Sequence, residues 1–150
     1  MDKFFNPASI VGGVVGGIFT FLFGGIDVIL KALIALVVLD YVTGIIRGIM
    51  TKSLSSEIGY KGILKKILIF VVIAVAVIIQ KVVAEIMPAL NDYNPLREVV
   101  IVFYLCNEGI SILENVAEFL PVPEKLKNIL IQIRNKSKET SDQNDTESSL

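Results

Sequence analysis

The side chains that could do chemistry in this sequence are ionisable and amide groups placed inside long apolar segments. Residues 96–120 carry a regular series of them among Val, Ile, Leu and Phe. At about 100° per residue, these polar residues fall within roughly 120° of helical arc. The predicted helix at 96–120 follows three other apolar segments, so we call it α4 and call this its polar face. The members of the α4 polar face are Tyr104, Asn107, Glu108, Ser111, Glu114, Asn115 and Glu118. We predict that the face either lines water between assembled helices or hydrogen-bonds to neighbouring helices.

A second polar face is predicted in residues 28–50, where Asp40, Thr43, Gly44 and Arg47 share roughly 100° of arc. An ionisable residue at bilayer depth costs about 2.5–3.5 kcal/mol on insertion scales, so it has to face protein or water. We therefore predict an intramembrane charged face at Asp40, Gly44 and Arg47, which packs against other helices or faces a pore. The alternative is that Arg47 snorkels to the surface and Asp40 forms a purely structural pair.

The composition argues against catalysis. The chain has no histidine and one cysteine, which excludes Ser-His-Asp and Cys-His catalysis and His-based metal sites. A phosphate-binding loop of the Gly-x-x-x-x-Gly-Lys-Ser/Thr type is absent. We therefore expect a protein that is not an enzyme and uses no metal or cofactor. A formal net charge of −1 provides no broad basic field for nucleic acid.

Four apolar segments have to position these faces. The chain has 150 residues, of which 53% are hydrophobic and 19% charged, whereas a soluble domain carries about 25% charged residues. After a short head at 1–9, the apolar segments cover 10–26, 28–50, 63–87 and 96–120. About 20 apolar residues are needed to span a bilayer as a helix. We predict an all-α integral membrane protein whose membrane domain covers 10–120.

The first segment determines whether the chain crosses the membrane three or four times. It is short for a span, and it contains two glycine pairs at i, i+4 spacing: Gly12 with Gly16, and Gly13 with Gly17. Such pairs allow close packing of helix backbones in lipid, although they also occur in flexible or interfacial segments. We favour three spans with the N-terminus outside. The alternative is four spans with the N-terminus inside.

Basic residues indicate the orientation of the chain. Residues 47–66 contain five bases and one acid, including a predicted cytoplasmic anchor formed by Lys52, Lys61, Lys65 and Lys66. By the positive-inside rule, the connecting loop at 51–62 lies in the cytoplasm. Residues 121–138, again with five bases and one acid, are predicted as a short amphipathic helix on the cytoplasmic side. The acidic, polar tail at 139–150 is predicted to be disordered.

Several motifs follow one another in an order that resembles the phage holin family, which includes the toxin-secretion holins of clostridia. The resemblance covers roughly residues 24–130. The matching residues are Asp40, Tyr41 and Gly44; the connector from Lys52 to Ser56; Gly59, Lys61, Gly62, Lys65 and Lys66; Asn107, Glu108, Ser111, Ile112, Glu114 and Asn115; and Pro121, Pro123 and Leu126.

This resemblance implies a small protein of the cytoplasmic membrane of a bacterial host. Such proteins associate with copies of themselves in the bilayer and form lesions at a set time, through which endolysin or a large toxin leaves. Endolysin is then a functional partner without direct binding. The alternative class is a membrane adaptor or assembly subunit of a larger complex, without pore activity of its own.

Overall fold

The structure is a computed structural model that describes residues 7–88 and 95–147, with side chains at 9–88 and 95–139. These residues form helices and no strands, which confirms the all-α prediction. The five helices of the described part are α1 (Pro7–Phe23), α2 (Val28–Met50), α3 (Ser56–Ile86), α4 (Leu96–Ala117) and α5 (Glu124–Glu147).

Three of these helices, α2, α3 and α4, are long and apolar enough to cross a membrane. The prediction of a multi-span helical membrane protein is therefore confirmed. The first helix is apolar but has 17 residues, fewer than the roughly 20 that a span requires.

The core lies between α2, α3 and α4. Leu30 and Leu33 of α2, Ile73 of α3 and Ile101 of α4 are all fully buried. The buried positions recur three or four residues apart, at Ile69, Ile73 and Val77 in α3, as expected for one face of a helix. Helices α2 and α4 begin at the same end of the bundle, where the side chains of Asp27 and Arg97 are 2.7 Å apart. They therefore run parallel, with α3 antiparallel to both.

The connecting loop is shorter than predicted, because α3 begins at Ser56 rather than at 63. Ser55 caps the helix by accepting a hydrogen bond of 3.2 Å from the Ile58 amide, and Glu57 lies in the positively polarised first turn. Only residues 51–55 lie between the two helices. A serine followed by an acid is a signal for the start of a helix, and this signal lies within the stretch that was predicted as a loop.

The C-terminal helix is longer than predicted, because it continues from Glu124 to Glu147. The prediction of a helix ending at 138 and a disordered tail from 139 is wrong as far as 147. A physical reason is that residues 124–147 contain no proline or glycine, so nothing in the backbone interrupts a helix. Residues 1–6, 89–94 and 148–150 lie outside the described part, including most of the head and of the turn after α3.

Candidate functional site: a buried polar cluster between three spanning helices

The polar residues of α2 face α4. The Arg47 Nε donates to a carboxylate oxygen of Glu118 at 2.5 Å. A Cβ added at Gly44 would lie 3.7 Å from the Asn115 amide nitrogen, an ordinary contact distance, so Gly44 also lies next to α4. The intramembrane charged face therefore lies against the α4 polar face in a single chain.

Lys66 of α3 joins these two helices. Its Nζ donates to Asp40 Oδ2 at 2.6 Å and also to a carboxylate oxygen of Glu108. Asp40 and Glu108 are only 9% and 7% exposed, respectively. Neither carboxylate could face lipid without a large cost, so one ammonium group compensates two acids that come from different helices.

An amide completes the cluster. The side-chain nitrogen of Asn115 donates to Asp40 Oδ1 and to the Thr43 hydroxyl, both at 3.2 Å. The Thr43 hydroxyl donates to the Asp40 carbonyl at 3.1 Å. Hydrogen bonds of this kind between spanning helices contribute about 0.6 kcal/mol each on average. The cluster of Asp40, Lys66, Glu108 and Asn115 thus connects all three spanning helices.

The cluster borders a cleft of about 580 Å³ that opens near the 51–55 loop. Ser111, Arg47 and Lys65 also line this cleft. Polar and charged groups therefore reach from the loop into the interior of the bundle.

The position of Lys66 corrects a prediction. The sequence placed it with Lys65 in a surface anchor, but its side chain is only 15% exposed and points inward. Consecutive helical residues point about 100° apart, and here Lys65 is exposed whereas Lys66 is turned toward α2 and α4. Lys66 is three residues before Ile69 and seven before Ile73, which are both buried. This spacing was a signal that Lys66 points toward the core.

The rest of the predicted anchor is exposed. Lys61 pairs with Glu57 at 2.6 Å, and both side chains are largely in contact with solvent. Lys52 and Lys65 are exposed as well, and Lys52 has a positive φ of 56° in the loop.

The α4 polar face does not form a single open surface in one chain, because it is divided among different neighbours. Glu108, Asn115 and Glu118 contact α2 or α3. The other side of the face contacts α5: the Asn107 oxygen accepts from Arg134 at 3.5 Å, and Glu114 lies 3.2 Å from the Lys127 ammonium. Tyr104 packs at the edge of the apolar core, and Ser111 borders the cleft.

A second polar cluster, which we call the Arg97 clamp, lies at the opposite end of the bundle. Arg97 is 5% exposed. Its guanidinium donates to the Phe23 carbonyl at 2.6 Å, to Asp27 Oδ2 at 2.7 Å and to the Gly25 carbonyl at 3.4 Å. Its backbone amide donates to the Gln80 side chain at 2.8 Å. The clamp therefore connects α4 with α3 and with the turn between α1 and α2.

Asp27 and Gly24 fit the clamp for different reasons. Asp27 caps α2 by accepting from the Leu30 amide at 3.0 Å, and its hydrogen bond with the Arg97 guanidinium lowers the pKa of its carboxyl. Gly24 has φ of +73°, and a Cβ there would lie 2.9 Å from the Arg97 Nε. This clamp was not predicted from the sequence. The sequence signal for the clamp was a pair of glycines followed by an acid. The arginine that they contact is distant in sequence.

The predicted helix-packing glycines of α1 make no close contact within the described chain. A Cβ added at Gly12, Gly13, Gly16 or Gly17 would meet nothing within 4 Å. Only the end of α1 packs on the core, through Phe19 and Phe23. Close packing at these glycines therefore remains a prediction that concerns contacts beyond a single chain.

Taken together, the three apolar helices and the charged groups buried between them define a small multi-span membrane protein. Residues 17–135 match the model of the bacteriophage holin family, and the chain belongs to this family. The match confirms the resemblance found in the sequence.

Relatives extend over most of the chain. It is 45% identical over 123 residues to an uncharacterised 14.9 kDa protein of Clostridium perfringens, covering 81% of this chain and 89% of the relative. An uncharacterised protein of Listeria monocytogenes is 40% identical, with coverage of 87% and 89%. A probable holin of Bacillus phage phi105 is 29% identical, with coverage of 83% and 87%. No solved structure matches this chain.

Proposed function

We propose that this protein is a holin that accumulates in the cytoplasmic membrane of a bacterial host, associates with copies of itself and forms lesions at a set time. Family membership supports this role. The structural observation that carries the proposal is the cluster of Asp40, Lys66 and Glu108 between spanning helices. Ionisable groups within spanning segments are costly, and they mark functional sites by default.

The cluster also provides a reason for cooperative opening. In a single chain, the buried acids are compensated by Lys66, and other polar groups of α4 contact α2 and α5. When several chains associate, polar faces from many copies can share water instead of internal partners. Because each copy adds polar surface to the same water-filled space, permeability should rise steeply with the amount of protein in the membrane.

The lesion is proposed to release endolysin, or in some hosts a large toxin, and thereby to time lysis. This cargo passes through the lesion without binding the protein. The orientation proposed from the basic residues places the 51–55 loop and the C-terminus in the cytoplasm. The cleft bordered by Lys65 and Lys66 would then open toward the cytoplasmic surface.

A vesicle assay tests this function. The purified full chain is inserted into vesicles that contain a small dye and a labelled soluble protein of endolysin size. We expect both to leak, with a release rate that rises more than linearly with the protein-to-lipid ratio. Release of the dye alone would contradict a lesion that passes endolysin. Retention of both would favour the adaptor alternative.

Substitutions at the α4 polar face test whether it takes part in the lesion. We expect Glu108→Leu with Glu114→Leu to change the rate of dye release, because the pair removes one carboxylate from each side of the face. Glu57→Leu is the matched control, since Glu57 is exposed near the loop. Unchanged release from the double variant, with insertion equal to that of the parent, would assign the face a structural role only.

A further inference from the structure

The fifth helix lies antiparallel along α4. The Lys127 ammonium is 3.2 Å from a Glu114 oxygen, Arg134 donates to Asn107 at 3.5 Å, and the Lys138 ammonium is 5.4 Å from the centre of the Phe103 ring. Later residues of α5 thus contact earlier residues of α4, as expected for antiparallel helices. The covered surface includes one side of the α4 polar face.

A glycine lets the two helices approach. A Cβ added at Gly109 would lie 3.2 Å from the Leu130 Cδ1, which is closer than most real contacts of a Cβ atom. Leu130 therefore rests directly on the α4 backbone at this position. This contact marks where α5 packs on α4, and it offers a position at which the two helices can be held together or kept apart.

Other features of α5 are better suited to a membrane surface than to packing on α4. Leu126, Ile129 and Ile133 are 45%, 44% and 42% exposed, so an apolar stripe of α5 is left uncovered while Lys127 and Arg134 contact α4. The pair of Lys127 and Glu114 is partly exposed, and ion pairs in contact with water contribute little to stability. A basic helix with an apolar stripe binds well at the interface of an anionic bilayer.

The connection between the helices allows such a change of position. Residues 118–123 lie between α4 and α5, and they include Pro121 and Pro123. Proline cannot continue a helix with its normal hydrogen bonds. The joint therefore keeps α4 and α5 separate, and α5 can move without unwinding α4.

We propose that α5 occupies the surface of α4 through which copies of this chain associate, and that assembly requires α5 to move to the lipid surface. This inference rests on the proposed function and adds its regulation. Departure of α5 removes the partners of Asn107 and Glu114. Polar groups on a spanning helix need a partner in the bilayer, and the amide and hydroxyl donors on the same face of a second copy supply one.

A reversible disulfide between the two helices tests this inference. In a Cys106→Ala background, Gly109→Cys is combined with Leu130→Cys, and the full chain is placed in vesicles that contain anionic lipid. Under oxidation we expect a cross-link within single chains, loss of higher oligomers and loss of dye release. Reduction should restore both. Chains that carry only one of the two cysteines are the matched controls: they cannot form a cross-link within one chain, and they should keep forming oligomers and releasing dye under oxidation.

Three results would overturn the inference. Cross-linked chains that still form oligomers would show that α5 need not leave. A cross-link that joins two chains would show that α5 packs on α4 of a neighbouring chain. Failure to cross-link at all would show that α5 does not rest on Gly109. Oligomers are measured separately from dye release. If the Cys106→Ala chain forms oligomers but releases no dye, the result counts against the proposed function. The inference about α5 is then judged by the formation of oligomers alone.

Discussion

The two ends of the bundle hold buried basic residues in different ways. At one end, Arg97 binds backbone carbonyls of Phe23 and Gly25 as well as Asp27. At the other, Lys66 binds the side chains of Asp40 and Glu108. Carbonyls of a turn are fixed by the backbone, whereas carboxylates can rotate or be replaced by other partners. The comparison indicates a fixed end at the clamp and an adaptable end at the cluster.

The exposure of the acids differs in the same direction. The side chains of Asp27 and Glu98, which pair with Arg97, are each 46% exposed. Those of Asp40 and Glu108 are 12% and 9% exposed. Water can therefore stabilise the acids of the clamp if the arginine is lost, but not those of the cluster. Removal of Lys66 should be the more damaging change.

Lys66→Met is expected to have the largest effect, because it leaves two buried carboxylates without a cation. Removing one partner from a buried ion pair costs roughly 3–5 kcal/mol. We expect this loss in the free energy of unfolding, measured in detergent at neutral pH. Lys65→Met is the matched control, because Lys65 is the neighbouring exposed lysine, and it should change stability by less than about 0.5 kcal/mol.

A triple variant sharpens this prediction. Adding Asp40→Asn and Glu108→Gln to Lys66→Met removes the uncompensated charges while keeping similar shapes. We expect it to recover much of the lost stability. If Lys66→Met unfolds no more easily than Lys65→Met, the ion cluster does not hold the three helices together.

Arg97→Met is expected to have a smaller effect on the same measurement. It removes a donor from the Phe23 and Gly25 carbonyls, and leaving such groups without a partner costs about 1–3 kcal/mol. Arg97→Lys should recover only part of this loss, since one ammonium cannot reproduce the fork of a guanidinium. A loss as large as that of Lys66→Met would show that the clamp is not the less sensitive end.

Much of the fold could be predicted from the sequence, because apolar length and helical spacing are local properties. The three long helices follow from them, and so does the grouping of Asp40 with Gly44 and Arg47 on one face. The limits of α3 and α5 were less accurate. In α3 a cap at Ser55 extended the helix into a polar stretch, and in α5 the polar tail contained nothing that ends a helix.

The partners of each polar residue could not be predicted in the same way, because they depend on how helices rotate about one another. The sequence grouped Lys66 with the surface lysines, yet the packing of α3 turned it inward toward Asp40. The sequence predicted the α4 polar face as one surface, whereas in the structure its residues contact three different helices: α2, α3 and α5. The Arg97 clamp was missed because Phe23 and Asp27 are separated from Arg97 by some 70 residues of chain.

The smallest expected effect is a pH dependence at Asp27, and it tests whether the clamp is as exposed as its surface area indicates. Because Arg97 lowers the pKa of Asp27 in the folded chain, the ionised carboxylate stabilises the fold above the unfolded-state pKa of about 4. This contribution is lost as the pH falls through the folded-state pKa. Asp27→Asn keeps a residue that caps helices well, so it removes mainly the charge. We therefore expect the melting temperature of the parent to exceed that of Asp27→Asn slightly at neutral pH and the difference to disappear in acid. A difference that is constant with pH would show that the capping hydrogen bond, rather than the charge of Asp27, supports this end of the bundle.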